Sequence, residues 1–259
     1  MPSLYQFNET EILAFFLVLL RISAFLVTWP VFGVDSVPGP VKILLGLIIA
    51  VVLFPTVGWH AIQDTVGSEQ IFWYAIREVF IGLAIGFLSR SFFYILSVAG
   101  QVISVSMGLS SIQLFNPAVG DRSSAFDQFL VGVGTLFFLA INGHHIFLGG
   151  LRDSFHLVPL SGELISTTYF GHMGAIIHEI TAIGVKISGP ILIAILFMNI
   201  AMAVIGRAVP QINVLITSLP VNILVGFMVM FVSLPLIIWQ MHDLVDLTAE
   251  RVFQMMRNF

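Results

Sequence analysis

Near the end of a long apolar run, the stretch INGHHIF (141–147) sets Asn142, His144 and His145 where the surrounding composition asks for hydrocarbon. Charges stand in equally apolar surroundings at Arg21, Arg77, Glu78, Arg90, Glu179, Lys186 and Arg207. Histidines and carboxylates are the groups that hold metals and carry protons, so that chemistry is weighed first. Adjacent histidines on a helix diverge by about 100°, which does not suit chelation of one ion. No acidic residue lies within a turn of the pair, and His60, His156, His172, His178 and His242 show no HxxxH spacing. The chain has no cysteine, which excludes disulfides, thiolate metal sites and iron–sulfur clusters. No serine stands in an elbow motif beside a histidine and an acid. No metal, no cofactor and no enzymatic activity is expected.

A charge at the centre of a membrane helix costs roughly 2.5–3.5 kcal/mol on insertion scales. Such residues must face protein, water or a partner subunit. Arg77, Glu78, Arg90, Glu179 and Lys186 are expected to be paired across helix or subunit contacts. The competing reading makes Glu78 or Glu179 the proton carrier of a secondary transporter. Glu179 and Lys186 are seven apart, on one helical face but two turns from each other, so they need other partners.

The elements that position these residues follow from composition. Of 259 residues, 58% are hydrophobic and 9% charged, where a soluble domain carries about 25% charged. Mean hydropathy is +1.03. The expected class is an all-α integral membrane or assembly-embedded protein of about six apolar, partly Pro-broken helices. Net charge is −4 and no Lys/Arg run occurs, so nucleic acid is not a partner. The first apolar run lacks a basic n-region ahead of it and ends in TWPVFG, so it is expected to be a retained membrane segment.

Six apolar stretches are visible, at about 11–32, 41–57, 71–106, 126–149, 176–206 and 212–239, each long enough to span a bilayer. The positive-inside rule gives a tie. Lys42, Arg122 and Arg207 fall on one side, and Arg152, Arg251 and Arg257 on the other. Prolines recur in or beside these stretches at 30, 55, 190, 210, 220 and 235, and each disfavours a straight helix. In a bilayer, broken backbone survives only where protein or a cavity shields it. Small residues at helical spacing (Gly82 and Gly86; Gly100, Ser104 and Gly108) let helix backbones approach closely.

Several strings resemble one family in order: LRISAFLVTWPVFG, VPGPVK, REVFIGLAIGF, GQVISVSMGLSSIQLFNP, LFFLAINGHHIF and GRAVPQINVLITSLPVNILVGF. They cover about 14–240 and resemble the FliR family of flagellar type III export-gate membrane proteins. The INGHH and PQINV strings are closer to this flagellar branch than to the injectisome counterpart, the SctT family. The resemblance implies a FliP-like helical part over 1–175, with a plug segment at 107–117, and a FliQ-like helical hairpin and tail over 176–259. It implies a pore-forming subunit in a ring with FliP and FliQ, with a single copy of this chain. FlhB and FlhA would be neighbours and unfolded flagellar proteins the cargo, in the bacterial inner membrane within the flagellar basal body. Gln101, Asn142, His144, His145, Arg207, Gln211 and Asn213 are the family-signature polar and interface positions.

A conduit that blocks ions when idle is best closed by a mostly apolar segment, because hydrophobic constrictions exclude water without fixed charge. Met107, Leu109, Ile112, Leu114 and Phe115 supply the bulk, Gly108 permits departure from helix geometry and Pro117 ends the segment. The resemblance makes this the plug of the pore.

Overall fold

The computed structural model describes residues 9–29, 37–58, 71–109, 125–161, 170–211 and 213–257. They form α-helices and no strand. In chain order these are α1 (Glu9–Thr28), α2 (Gly39–Leu53), α3 (Ile71–Ser106), α4 (Ala125–Ala140), α5 (Gly143–Leu157), α6 (Phe170–Ala208) and α7 (Val214–Arg257). A 3₁₀ turn, Phe54–Thr56, extends α2. Among the described residues, five helices are long and apolar enough to cross a membrane, and α4 with α5 makes a sixth if counted as one interrupted span.

Helix boundaries follow local chemistry. Pro40 lies in the first turn of α2, where a missing N–H costs nothing. At the start of α7, Asn213 Oδ1 accepts a 3.4 Å hydrogen bond from the Ile216 amide, the geometry of an Asn N-cap. Pro190 lies inside α6, and Pro220 and Pro235 inside α7, and both helices run on through them. Each proline leaves the carbonyl four residues before it without the usual donor. The apolar run 126–149, by contrast, breaks at Asn142, whose φ of 57° is left-handed. Asparagine tolerates that region better than most residues.

The chain divides into two compact units. The first comprises Met1–Ser91, Asn142–Gly171 and Asp246–Phe259, the second Phe92–Ile141 and His172–Val245. In the first, α1 buries Ala14, Leu17, Val18, Arg21, Ile22 and Phe25, a stripe of three- and four-residue steps. The adjoining part of α3 buries Glu78, Ile81, Ile85 and Leu88. Backbones meet closely where side chains are smallest. A Cβ at Gly82 would lie 2.8 Å from Ala24 Cβ, and one at Gly86 would overlap Thr28 Oγ1. Gly46 of α2 faces the side chain of Leu26, where a Cβ would make an ordinary contact at 3.4 Å.

In the second unit Phe92, Phe93 and Phe138 form an aromatic cluster with centroids 4.9–5.9 Å apart. A Cβ at Gly184 would lie 2.8 Å from Val98, so α6 passes close to α3. Where α6 and α7 run together, Asn222 Nδ2 donates to Asn199 Oδ1 at 2.9 Å amid apolar neighbours. The outward faces of α6 and α7 remain apolar, with Phe197, Phe231 and Val232 exposed. Contiguous apolar surface on this scale meets lipid or other subunits.

Candidate functional site

Arg21 falls on the buried stripe of α1 and Glu78 on that of α3, so neither charge can reach water. Arg21 Nε donates to Glu78 Oε2 at 2.5 Å, with both side chains 0% exposed. Its remaining donors turn to the end of α5. Nη1 donates to the Ser154 carbonyl at 2.9 Å and to Ser154 Oγ at 3.2 Å, and Nη2 to the Val158 carbonyl at 2.9 Å. The guanidinium carbon also lies 4.3 Å from the centroid of the Phe155 ring. Arg77, equally buried, approaches Glu78 Oε1 at 3.4 Å and donates to the Pro159 and Leu160 carbonyls at 3.0 and 3.3 Å. Two guanidiniums thus share one carboxylate, and the extra positive charge meets the carbonyl end of α5. A helix C-terminus favours cations through its unpaired carbonyls and its dipole. The arrangement satisfies the fork of Arg21 and ties α1, α3 and α5 together.

The expected charges separate accordingly. Arg77 and Glu78 come together with Arg21. Arg90 and Lys186 are exposed and Glu179 half-buried.

The segment expected to close a pore begins with a defined stop. At the end of α3 the Gly108 amide donates to the Val105 carbonyl and the Leu109 amide to the Ser104 carbonyl, both at 3.0 Å. Gly108 has φ of 81°. These two bonds about a left-handed glycine make a Schellman cap, so Gly108 turns the chain out of the helix. Met107 is fully buried within its unit and Leu109 half-buried. Ile112, Leu114, Phe115 and Pro117 lie outside the described residues.

Among the family-signature positions, Asn142 is exposed at the break before α5, and its carbonyl accepts from the His145 amide at 2.9 Å. The His144 and His145 rings lie against each other, centroids 4.1 Å apart, rather than diverging by the backbone step. His144 Nδ1 is buried with no hydrogen-bond partner among the described residues. Gln101 is exposed and donates to Ser97 Oγ at 3.2 Å. Arg207, Gln211 and Asn213 are exposed around the turn joining α6 and α7. Among the described residues no group of three or more His, Asp or Glu could hold a metal ion.

Sequence reasoning singled out Arg21, Arg77 and Glu78 but not their oxygen partners. The carbonyls of Ser154 and Val158 carry no signal in sequence. The pattern that does is Arg21 sitting in register with Leu17, Val18 and Phe25 on a stripe that has to be buried.

Apolar helices of spanning length, an internal charge cluster and a capped exit from α3 define an all-α membrane protein whose working parts are its helices and turns. The model of bacterial export proteins, family 1, matches residues 12–248, and the chain belongs to that family. Curated relatives include the flagellar biosynthetic protein FliR of Bacillus subtilis (strain 168), 29% identical over 242 residues that cover 92% of each chain. FliR of Aquifex aeolicus (strain VF5) is 29% identical, with 90% of this chain and 88% of that protein covered. FliR of Escherichia coli (strain K12) is also 29% identical, with 86% and 85% covered. The chain is an export component, not an enzyme.

Proposed function

We propose that this chain is a pore-forming structural subunit of the flagellar type III protein export gate. It helps conduct unfolded flagellar proteins and seals the pore when idle. The family match across residues 12–248, with relatives named for flagellar biosynthesis that cover 92% and 86% of this chain, carries this reading. The gate is a ring with FliP and FliQ that holds a single copy of this chain, with FlhB and FlhA as neighbours. It lies in the bacterial inner membrane, within the flagellar basal body. Residues 1–175 act as a FliP-like part and 176–259 as a FliQ-like hairpin and tail. The long antiparallel course of α6 and α7 about a short turn is consistent with that second assignment.

The segment 107–117 acts as the plug. The cap at Gly108, which turns the chain out of α3 at that point, supports it. The polar positions Gln101, Asn142, His144, His145, Arg207, Gln211 and Asn213 contribute subunit contacts. The exposed turn around Arg207, Gln211 and Asn213 and the unpartnered Nδ1 of His144 fit that role. Glu78 is better read as half of an ion lock than as a proton carrier, because its carboxylate is shared by two guanidiniums away from water.

The test has two arms. Mass measurement of the detergent-purified complex should find this chain with FliP and FliQ, and recovery as a functional homo-oligomer would overturn the reading. Deleting residues 109–115 should make the assembled gate leak small ions while assembly persists. Unchanged leakage would remove the plug assignment alone.

A further inference from the structure

Two cations at the surface of α6 mark out a length. Lys186 and Arg207 are both exposed, and residues 187–206 between them carry no charge. At about 1.5 Å per residue that stretch rises about 30 Å, the thickness of a bilayer's hydrocarbon core. The helix itself is much longer, Phe170–Ala208, and its part before Lys186 brings in Glu179. Beside it α7 runs back in a register that two contacts fix. Asn222 donates to Asn199 at 2.9 Å, and a Cβ at Gly206 would overlap Val214. At that offset Lys186 stands level with Leu234 and Pro235, and Val214–Leu234 is also free of charge. Trp239 follows one turn further along α7, 66% exposed, and Asp243 one turn beyond it, exposed as well. A lysine at the edge of hydrocarbon reaches outward on its long stem, and tryptophan favours the headgroup level. Between the two levels Ile193, Phe197, Val204, Met228, Phe231 and Val232 are exposed and apolar. All of these residues belong to the second compact unit.

We propose that residues 187–206 of α6 and 214–234 of α7 form the lipid-facing band of this chain, with acidic phospholipid headgroups on Lys186 at one border and on Arg207 at the other. Acyl chains cover the apolar side chains between those borders. The parts of α6 and α7 beyond Lys186 and Trp239 stand outside the hydrocarbon, which keeps Glu179 and Asp243 out of the acyl layer. Lipid is the occupant because the charge-free length equals the bilayer core and the cations stand only at its two ends. A neighbouring subunit would impose no such match between spacing and thickness.

The absence of native cysteine permits single-site spin labels. Cysteine is placed in turn at Thr181, Phe197, Val232 and Asp243. The chain, with co-purifying subunits also made cysteine-free, is reconstituted in vesicles of phosphatidylethanolamine and phosphatidylglycerol. Molecular oxygen dissolves among acyl chains and a nickel chelate does not, so relaxation of the label by each reads its depth. The ratio of oxygen to chelate accessibility at 197 and 232 should exceed that at 181 and 243 by about tenfold or more, because a polar complex loses its hydrogen bonds in hydrocarbon. Labels at 197 and 232 that neither reagent reaches would overturn the band and give the face to a subunit. Labels there that the chelate reaches as readily as at 181 would overturn it in favour of water. At the border, Lys186→Gln should lower retention of phosphatidylglycerol relative to phosphatidylcholine about fivefold in mass spectrometry of the intact complex, the share of one cation near an acidic surface. Unchanged retention would overturn the headgroup role of Lys186 and leave it to a subunit carboxylate. Neither measurement uses export, so failure of the gate reading leaves both in force.

Discussion

Replacing Glu78 with Gln keeps the shape of the side chain and removes the carboxylate that two buried guanidiniums share. Arg21 would lose its 2.5 Å ion pair while its other donors stayed committed to Ser154 and Val158. Arg77 would lose the carboxylate beside it and keep only the repulsion of Arg21 within the cluster. Removing one partner of a buried pair costs about 3–5 kcal/mol, because the surviving charge stays buried and uncompensated. A chain of this size loses roughly 2–4 °C of Tm per kcal/mol, so E78Q should melt about 6–20 °C below the parent. Detergent-solubilised protein heated in steps and followed by fluorescence-detected size exclusion measures this directly. Neutralising both sides in Arg21→Gln/Glu78→Gln should recover part of the loss, with a coupling of about 0.5–3 kcal/mol. An E78Q variant that melts within 2 °C of the parent (below the roughly 6 °C minimum expected) and loses function all the same would refute the ion-lock reasoning. That outcome would point to proton chemistry at Glu78.

Gly86→Val should lower the yield of folded subunit by forcing α1 and α3 apart at Thr28, an overpacking cost of about 1–3 kcal/mol; solubilised monodisperse yield reads it. Asn142→Gly should be near neutral, while Asn142→Val should cost about 1–2 kcal/mol, because only the first accepts the left-handed backbone; thermal melts of the two variants compare them. Asn142→Ala and His144→Ala should reduce recovery of the assembled complex, and added chelator should change neither assembly nor export. Asn222→Leu should cost about 0.6–2 kcal/mol by leaving Asn199 without its partner; a double-mutant cycle with Asn199→Leu isolates that share.

Features set by local pattern were legible in the sequence, and features set by distant contact were not. Gly82 and Gly86 stand out as small residues at helical spacing, and both take part in close backbone approach to α1. The exit from α3 at Gly108 could be anticipated because glycine alone enters the left-handed region without penalty. The run 126–149 reads as one span because hydropathy does not register a single short amide. The break at Asn142 is a matter of backbone dihedral. The pairing of Arg21 with Glu78 crosses 57 residues of sequence, and its bonds to Ser154 and Val158 cross 133 and 137. Nothing local announces which carbonyls will be there. Met107 looks like one more bulky residue of the apolar segment until its seat on Gly226 is seen.

Between α6 and α7 the amide pair of Asn199 and Asn222 has a consequence for assembly order. The stretches of those two helices around the pair are largely apolar, so several axial offsets would bury similar surface. The bond from Asn222 to Asn199 breaks that degeneracy. A slip of one turn, about 5.4 Å, would strand both amides in hydrocarbon. The pair works as an index mark that sets the hairpin to a single offset before any neighbour arrives. On the proposed gate reading, the subunit would then dock with its hairpin already set to length.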